Sequence, residues 1–206
     1  MKILCLANSF KNGGRCIAGI ELDANNNLKF DTNNKPIWIR PISSQSCGKI
    51  LNNEGKKIKI FDVIEIENPL TSPQSYQSEN TTFTSINVTN NIQSLNIQSS
   101  LDINKDLIFS NKGKAVHKDD LNNIKESLLL IETNSFNVYT DSNNKFRLKF
   151  DYGINKYDLP ITDVKFVNDY NLSKNILNNI TNIKLVLSLG VLKGDFASKL
   201  IASIIY

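Results

Sequence analysis

Apolar and polar residues alternate at the two-residue period of β-strands through most of the chain. Residues 2–7 open it as a near-continuous apolar run, the mark of a buried strand. Residues 15–22 read as a second strand, with Cys16, Ala18 and Ile20 on one side. Asparagines at 25–27 and 33–34 mark turns. Residues 36–42 form a third strand with Ile37, Ile39 and Pro41 on one face, which leaves Trp38 and Arg40 together on the other. A longer strand is expected over 56–67, ended by Pro69. Residues 71–100 are rich in Ser, Thr, Asn and Gln and read as loops plus one weak strand near 82–88.

The pattern changes at 101–127. His117-Lys118-Asp119-Asp120-Leu121 has the acids of a helix start, and Leu121, Ile124 and Leu128 have helical spacing. Strands are then expected over 128–132, 136–140 and 146–150, with Asn143-Asn144 as a hairpin turn. Leu172, Ile176, Leu177 and Ile180 predict a short amphipathic helix, and strands over 183–189 and 199–205 end the chain. Strand, strand, strand, helix, strand, strand is the order of the OB-fold, a five-stranded Greek-key barrel. The first half supplies about five strands as well, with a poor helix candidate at 44–51. The expected fold is mainly β: two OB-like β-barrels packed together with one or two short helices. The expected division is a first barrel over 1–100, a helical connector over 101–127 and a second barrel over 128–206.

Composition narrows the function only a little. A net charge of +4 on 206 residues is too weak to argue for nucleic acid by itself. Cys5, Cys16 and Cys47 are an odd, sparse set, which argues for a reducing compartment rather than a disulfide framework. No apolar stretch approaches the ~20 residues of a membrane helix, and the first apolar run is too short for a signal-peptide core. A cytoplasmic protein with no membrane partner is expected.

The candidate chemistry is anion binding. In the loop 8–15, Gly13 and Gly14 let backbone N–H groups converge as a nest. Asn8, Lys11 and Arg15 would add polar and charged contacts to a phosphate. The same glycines also serve a plain hairpin turn. Trp38 and Arg40 offer an aromatic and a cation on one strand face, suited to base stacking and phosphate neutralisation. The alternative is a Trp38 buried between the two modules, with Arg40 paired to an acid such as Glu65 or Glu67. Lys193 and Lys199 lie in the last hairpin, where an OB-fold's loop between its last two strands meets ligand, or else form a solvated turn. The cysteines and His117 match no zinc spacing, so no metal, cofactor or catalytic residue is assigned.

The segments ILCLANSFKNGGRCIAGIEL, WIRPIS, DVIEI, GKAV, SLLLIE, YDLPITD and LVLSLG followed by KLIASII resemble the dual OB-containing domain of bacterial proteins, from residue 3 to residue 205. His117 departs from the pattern, standing where a small capping residue is expected after GKAV. The resemblance implies two OB-like barrels and a nucleic-acid role in prokaryotic conflict or defence, and brings no activity with it. The expectation is a noncatalytic module for single-stranded nucleic acid or a nucleotide-like ligand. The alternatives are an interaction subunit for a protein partner from the same operon and, third, a nucleotide-processing enzyme using Arg15 or Glu65.

Overall fold

The computed structural model describes residues 1–11, 13–43, 50–51, 55–93, 95–104 and 106–206, with the backbone alone for Lys11 and Leu51. Cys47, the Lys11 side chain and most of the expected helix 44–51 lie outside the described residues. The chain is mainly β, 51% strand against 11% helix. It divides into two units, Met1–Ser100 and Leu101–Tyr206.

In the first unit β1 (Lys2–Lys11) and β2 (Gly14–Leu22) make an antiparallel hairpin. Their register slips between Cys5 and Ala7. There Gly19 runs so close to Leu4 that any Cβ would collide with its carbonyl, so only glycine lets the hairpin coil at this bulge. β3 (Trp38–Ile42) and β4 (Ile50–Leu51) both pair with β2. β5 (Asp62–Glu67) pairs with the other edge of β1. β6 (Leu70–Thr71) pairs with β7 (Asn80–Thr82), which runs parallel to β3. β8 (Ser85–Asn91) follows β7 and runs antiparallel to β5. The stretch 80–91 thus pairs with β3 at one end of the sheet and with β5 at the other, which curls the sheet round. Ile3, Cys5, Ile17, Ile39, Ile50, Ile58, Ile64 and Ile66 fill its core.

The expected strand over 56–67 is shortened to β5. Phe61 sits at φ 69°, in the left-handed region, and breaks the extended run. Before it, the Asn8 side chain donates to the carbonyls of Gly55 (2.9 Å) and Ile58 (2.7 Å), fixing that turn against β1.

In the second unit β9 (Ala115–His117) leads into a 3₁₀ turn, Lys118–Asn123. His117 caps that turn, its Nδ1 accepting from the Asp119 N–H, so the imidazole does the small capping residue's work. β10 (Leu128–Thr133) and β11 (Phe136–Thr140) run in succession, followed by β12 (Phe146–Tyr152) and β13 (Asn155–Pro160). α1 (Val164–Leu172) precedes the long hairpin of β14 (Ile183–Lys193) and β15 (Phe196–Ile205). One sheet has the order β10-β14-β15-β9, the other β11-β12-β13. A parallel bridge between Ile161 and Ile201 ties β13's end to β15. These are again the pairings of a Greek-key barrel. The hairpin at Asn143-Asn144 forms as expected, Asn144 taking φ 58°.

The structure corrects two expectations. The helix spans Val164–Leu172 and holds only the first of the four apolar residues that predicted it, Leu172, while Ile176 and Leu177 fall in a turn and Ile180 follows that turn. Asp163 caps it, its carboxylate accepting the Phe166 N–H at 3.0 Å, and Phe166 is buried beneath it. The Asn-, Ser- and Thr-rich stretch after Leu172 has poor helix propensity. Segment 101–127 is no helical connector: its described residues form 3₁₀ turns and β9, all counted in the second unit. Among the described residues no helix is long and apolar enough to cross a membrane.

Candidate nucleic-acid interface

The structure separates the residues that the sequence grouped for anion binding. β3 is flanked by β2 and β7, and all five of its residues are buried. Trp38 is 7% exposed and Arg40 3%. Arg40 Nη2 meets Glu79 Oε1 at 2.8 Å, and the Arg40 N–H donates to the Glu79 carbonyl at 2.9 Å. Arg40 is thus paired to an acid, but to Glu79; Glu65 and Glu67 face solvent. The expected outward platform of indole and guanidinium is therefore corrected to an internal strut.

The loop 8–15 behaves mostly as a hairpin turn. Gly13 supplies φ 76° and is exposed, while Gly14 is buried and pairs with Leu51. Asn8 is committed to the Gly55 turn. Arg15 is half-buried, its Cβ and Cγ lying over Gly55. Lys193 is exposed at the tip of β14. Lys199 is a further correction: it has no exposed surface, because β15 carries it inward beside Ala197 and Ile201.

A different surface gathers the cations. In the second unit a groove of about 600 Å³ opens over β12 and β13, bordered by the start of β11 and by Lys112, Gly113 and Lys114. Register places Asn137, Lys149 and Asp158 in one outward row across the three strands, with Asp151 and Lys156 in the next. The inward row, Phe136, Phe150 and Tyr157, floors the groove. Phe150 and Tyr157 are buried and stacked, with ring centroids 5.6 Å apart.

Four lysines and two aspartates line this groove, and the pairing among them is uneven. Asp158 accepts from Tyr139 Oη and Arg147 Nε, both at 2.8 Å, and lies 3.5 Å from Lys114. Burial raises the Asp158 pKa, but the hydrogen bonds from Tyr139 and Arg147 and the nearby cations outweigh it and hold the carboxyl below its ordinary value. Asp151 takes Lys156 at 3.3 Å and Ser135 Oγ at 3.0 Å. Lys112 and Lys149 have no carboxylate partner among the described residues. Lys149 Nζ instead sits 4.9 Å from the centre of the Tyr139 ring. The groove thus offers unneutralised ammonium groups with one half-buried ring, Phe136, in its lining and a second, Tyr139, next to Lys149, which suits a ligand with phosphates and planar bases. Among the described residues no three His, Cys, Asp or Glu side chains converge on a metal-sized site.

The sequence carried a signal for this face. In FRLKFDY, the β12 segment, Leu148, Phe150 and Tyr152 are buried in alternation, which turns Arg147, Lys149 and Asp151 outward. β13 repeats it, with Tyr157 and Leu159 buried and Lys156 and Asp158 outward.

The family model of the dual OB-containing domain matches residues 1–204. No curated protein matches the chain. Among solved structures, a tetrameric p202 HIN2 crystal structure aligns at TM-score 0.35 and 11% identity, covering 100% of this chain and 93% of that one. A murine DNA-binding protein bound to double-stranded DNA aligns at TM-score 0.35 and 9% identity, covering 100% and 97%. Alignments this loose carry no argument about how this chain works.

Proposed function

The chain belongs to the dual OB-containing domain family, and from that premise we propose that it is a noncatalytic module whose second barrel binds single-stranded nucleic acid across β12 and β13. The observation that carries this reading is the lysine-lined groove over β12 and β13, which are the second and third strands of an OB-like barrel when β10 and β11, two residues apart, count as one bent first strand; that is the face such barrels use for oligonucleotides. Lys149 and Lys156 are diagonal neighbours across the β12–β13 pair, about 7–8 Å apart at the backbone. They address neighbouring phosphates of a strand rather than one phosphate of a mononucleotide. Tyr139, half-buried on the outward face with Lys149 over its ring, and Phe136, half-buried in the groove lining from the inward row, supply ring surface for bases. Trp38, Arg40 and Lys199 have no part in ligand contact in this reading, because burial removes them.

The test is titration of the protein with a labelled single-stranded oligonucleotide over a series of salt concentrations. Affinity is expected to fall with salt, with a slope of about 0.7 per phosphate contacted. Lys149→Ala and Lys156→Ala are each expected to flatten that slope. A salt-insensitive affinity, or no binding, counts against the reading. The defence setting that the family resemblance implies belongs to the same proposal. It is tested by whether a Lys149→Glu/Lys156→Glu variant loses protection of host cells against phage.

A second reading, recognition of a protein partner, is favoured by the tip of the β14–β15 hairpin. Val191 (45%), Leu192 (43%) and Phe196 (53%) are all exposed there. Retention of one stable partner that Phe196→Ser abolishes, with no nucleic acid retained, would favour it.

A further inference from the structure

Lys199 is the only lysine among the largest fully buried side chains. No carboxylate neutralises it among the described residues. Its ammonium instead donates to the Ile108 carbonyl (2.5 Å), the Asn111 carbonyl (2.6 Å) and Asn111 Oδ1 (2.8 Å). Three N–H groups meet three oxygens, so the buried charge is satisfied by the oxygens of one loop. Burial draws the Lys199 pKa down to about 8.

That loop has an unusual shape. Phe109 and Ser110 both adopt left-handed backbone, φ 46° and 64°, although neither is glycine. Such residues persist where their surroundings over-determine them. Here the surroundings are polar ties to the barrel. The Ile108 N–H donates to Tyr157 Oη (3.1 Å), and Asn155 Nδ2 donates to the Asp106 carbonyl (2.8 Å). Asn111 carries the order forward: its Oδ1 accepts the Gly113 N–H (2.7 Å) and its Nδ2 donates to the Ala115 carbonyl (3.1 Å). Lys112 therefore projects into the groove directly after a turn whose carbonyls converge on Lys199, and Lys114 follows across the two Asn111 ties, its own carbonyl accepting the Lys199 backbone N–H at 2.9 Å.

We propose that Lys199 is a positioning residue for the groove. Its ammonium holds the Ile108–Asn111 turn in its left-handed form and thereby presents Lys112 and Lys114 to the anionic ligand. The inference rests on the nucleic-acid reading above and goes beyond it by giving a buried residue control of the groove's cations. Preorganised cations bind more tightly than mobile ones because their ordering cost is met in advance. A merely structural lysine would stabilise the barrel without coupling to Lys112 and Lys114.

A double-mutant cycle separates the two roles. Affinity for a single-stranded deoxythymidine oligonucleotide is measured for the native chain, Lys199→Met, Lys112→Ala/Lys114→Ala and the combination. Removing both groove lysines from the native chain is expected to weaken binding about tenfold, and removing them from Lys199→Met less than about twofold. Without ligand, Lys199→Met is expected to speed hydrogen exchange at residues 109–114 and to leave β10 and β14 protected. Additive losses in the cycle, or native affinity in Lys199→Met, overturn the proposal. Should Lys199→Met fail to fold, Asn111→Ala removes one acceptor and the Gly113 tie and serves in the same cycle. If the native chain binds no oligonucleotide, the nucleic-acid reading fails and the groove role falls with it. The exchange measurement then still decides whether Lys199 pins the loop.

Discussion

Among the described residues each unit buries one cation, and the two satisfy it by opposite means. In the first, Arg40 lies where β3 and β7 run in parallel, and Glu79 answers it across 2.8 Å. In the second, the corresponding parallel contact is apolar, Ile161 against Ile201. Two positions before Ile201, Lys199 is answered by three oxygens of Ile108 and Asn111. A carboxylate partner ties the first cation to a neighbouring residue of the barrel wall. Carbonyl partners make the second a grip on a loop, and that loop borders the groove. Similar topologies thus turn a buried positive charge into internal bracing in one barrel and into control of a surface in the other.

The largest expected effect breaks the first arrangement. Arg40→Met takes the guanidinium away from the buried Glu79 carboxylate and should cost about 3–5 kcal/mol in denaturant unfolding of the first unit. Arg40→Met/Glu79→Leu should recover most of that loss, since two apolar groups replace the pair. Trp38→Ala comes next, with a loss of about 3–5 kcal/mol from removing a buried indole. In both, protein that stays folded should keep its oligonucleotide affinity, because neither residue reaches the surface.

The second arrangement has a pH signature. The Lys199 pKa, about 8 in the folded chain, is below its ordinary value of 10.5. The unfolded chain therefore binds the proton more tightly, and stability should rise as pH is raised from 8 towards 10. The rise should be of order 1–3 kcal/mol in denaturant midpoints converted to free energy, and Lys199→Met should abolish it. Above pH 10 the tyrosines whose pKa values burial raises, Tyr139 and Tyr157 among them, begin to act in the opposite sense.

The smallest effect concerns Asp158, whose carboxyl is held below its ordinary value by Tyr139 and Arg147 against the opposing pull of burial. Its contribution to stability is present above pH 4 and is lost as pH falls through the lowered folded value. Asp158→Asn should flatten that acid limb by less than about 1 kcal/mol, because the pair is partly exposed.

The barrels were legible in the sequence because their strands alternate cleanly. Residues 2–7, 15–22, 128–132, 183–189 and 199–205 all fall within observed strands. The helix was misplaced because its signal lies in one cap, Asp163, and one buried ring, Phe166, whereas Ile176, Leu177 and Ile180 mimic a helical stripe in and just after a turn. The site was misread for a related reason. Alternation told that Trp38 and Arg40 share a face, but the partner on that face, Glu79, is 39 residues away in the chain. Long-range pairing of this kind leaves no local trace. Lys149 and Lys156 did leave one, by alternating with buried rings, yet exposed lysines are common enough that only their convergence on one groove marks them.

Photo-cross-linking of a single-stranded oligonucleotide, with the attached peptides identified by mass spectrometry, tests most directly where the ligand lies. Cross-links are expected in the second barrel, on peptides holding Phe136 and Tyr139, and should vanish in Lys149→Glu/Lys156→Glu. Cross-links confined to the first barrel, around Arg15 or Trp38, would contradict the placement of the interface on β12 and β13.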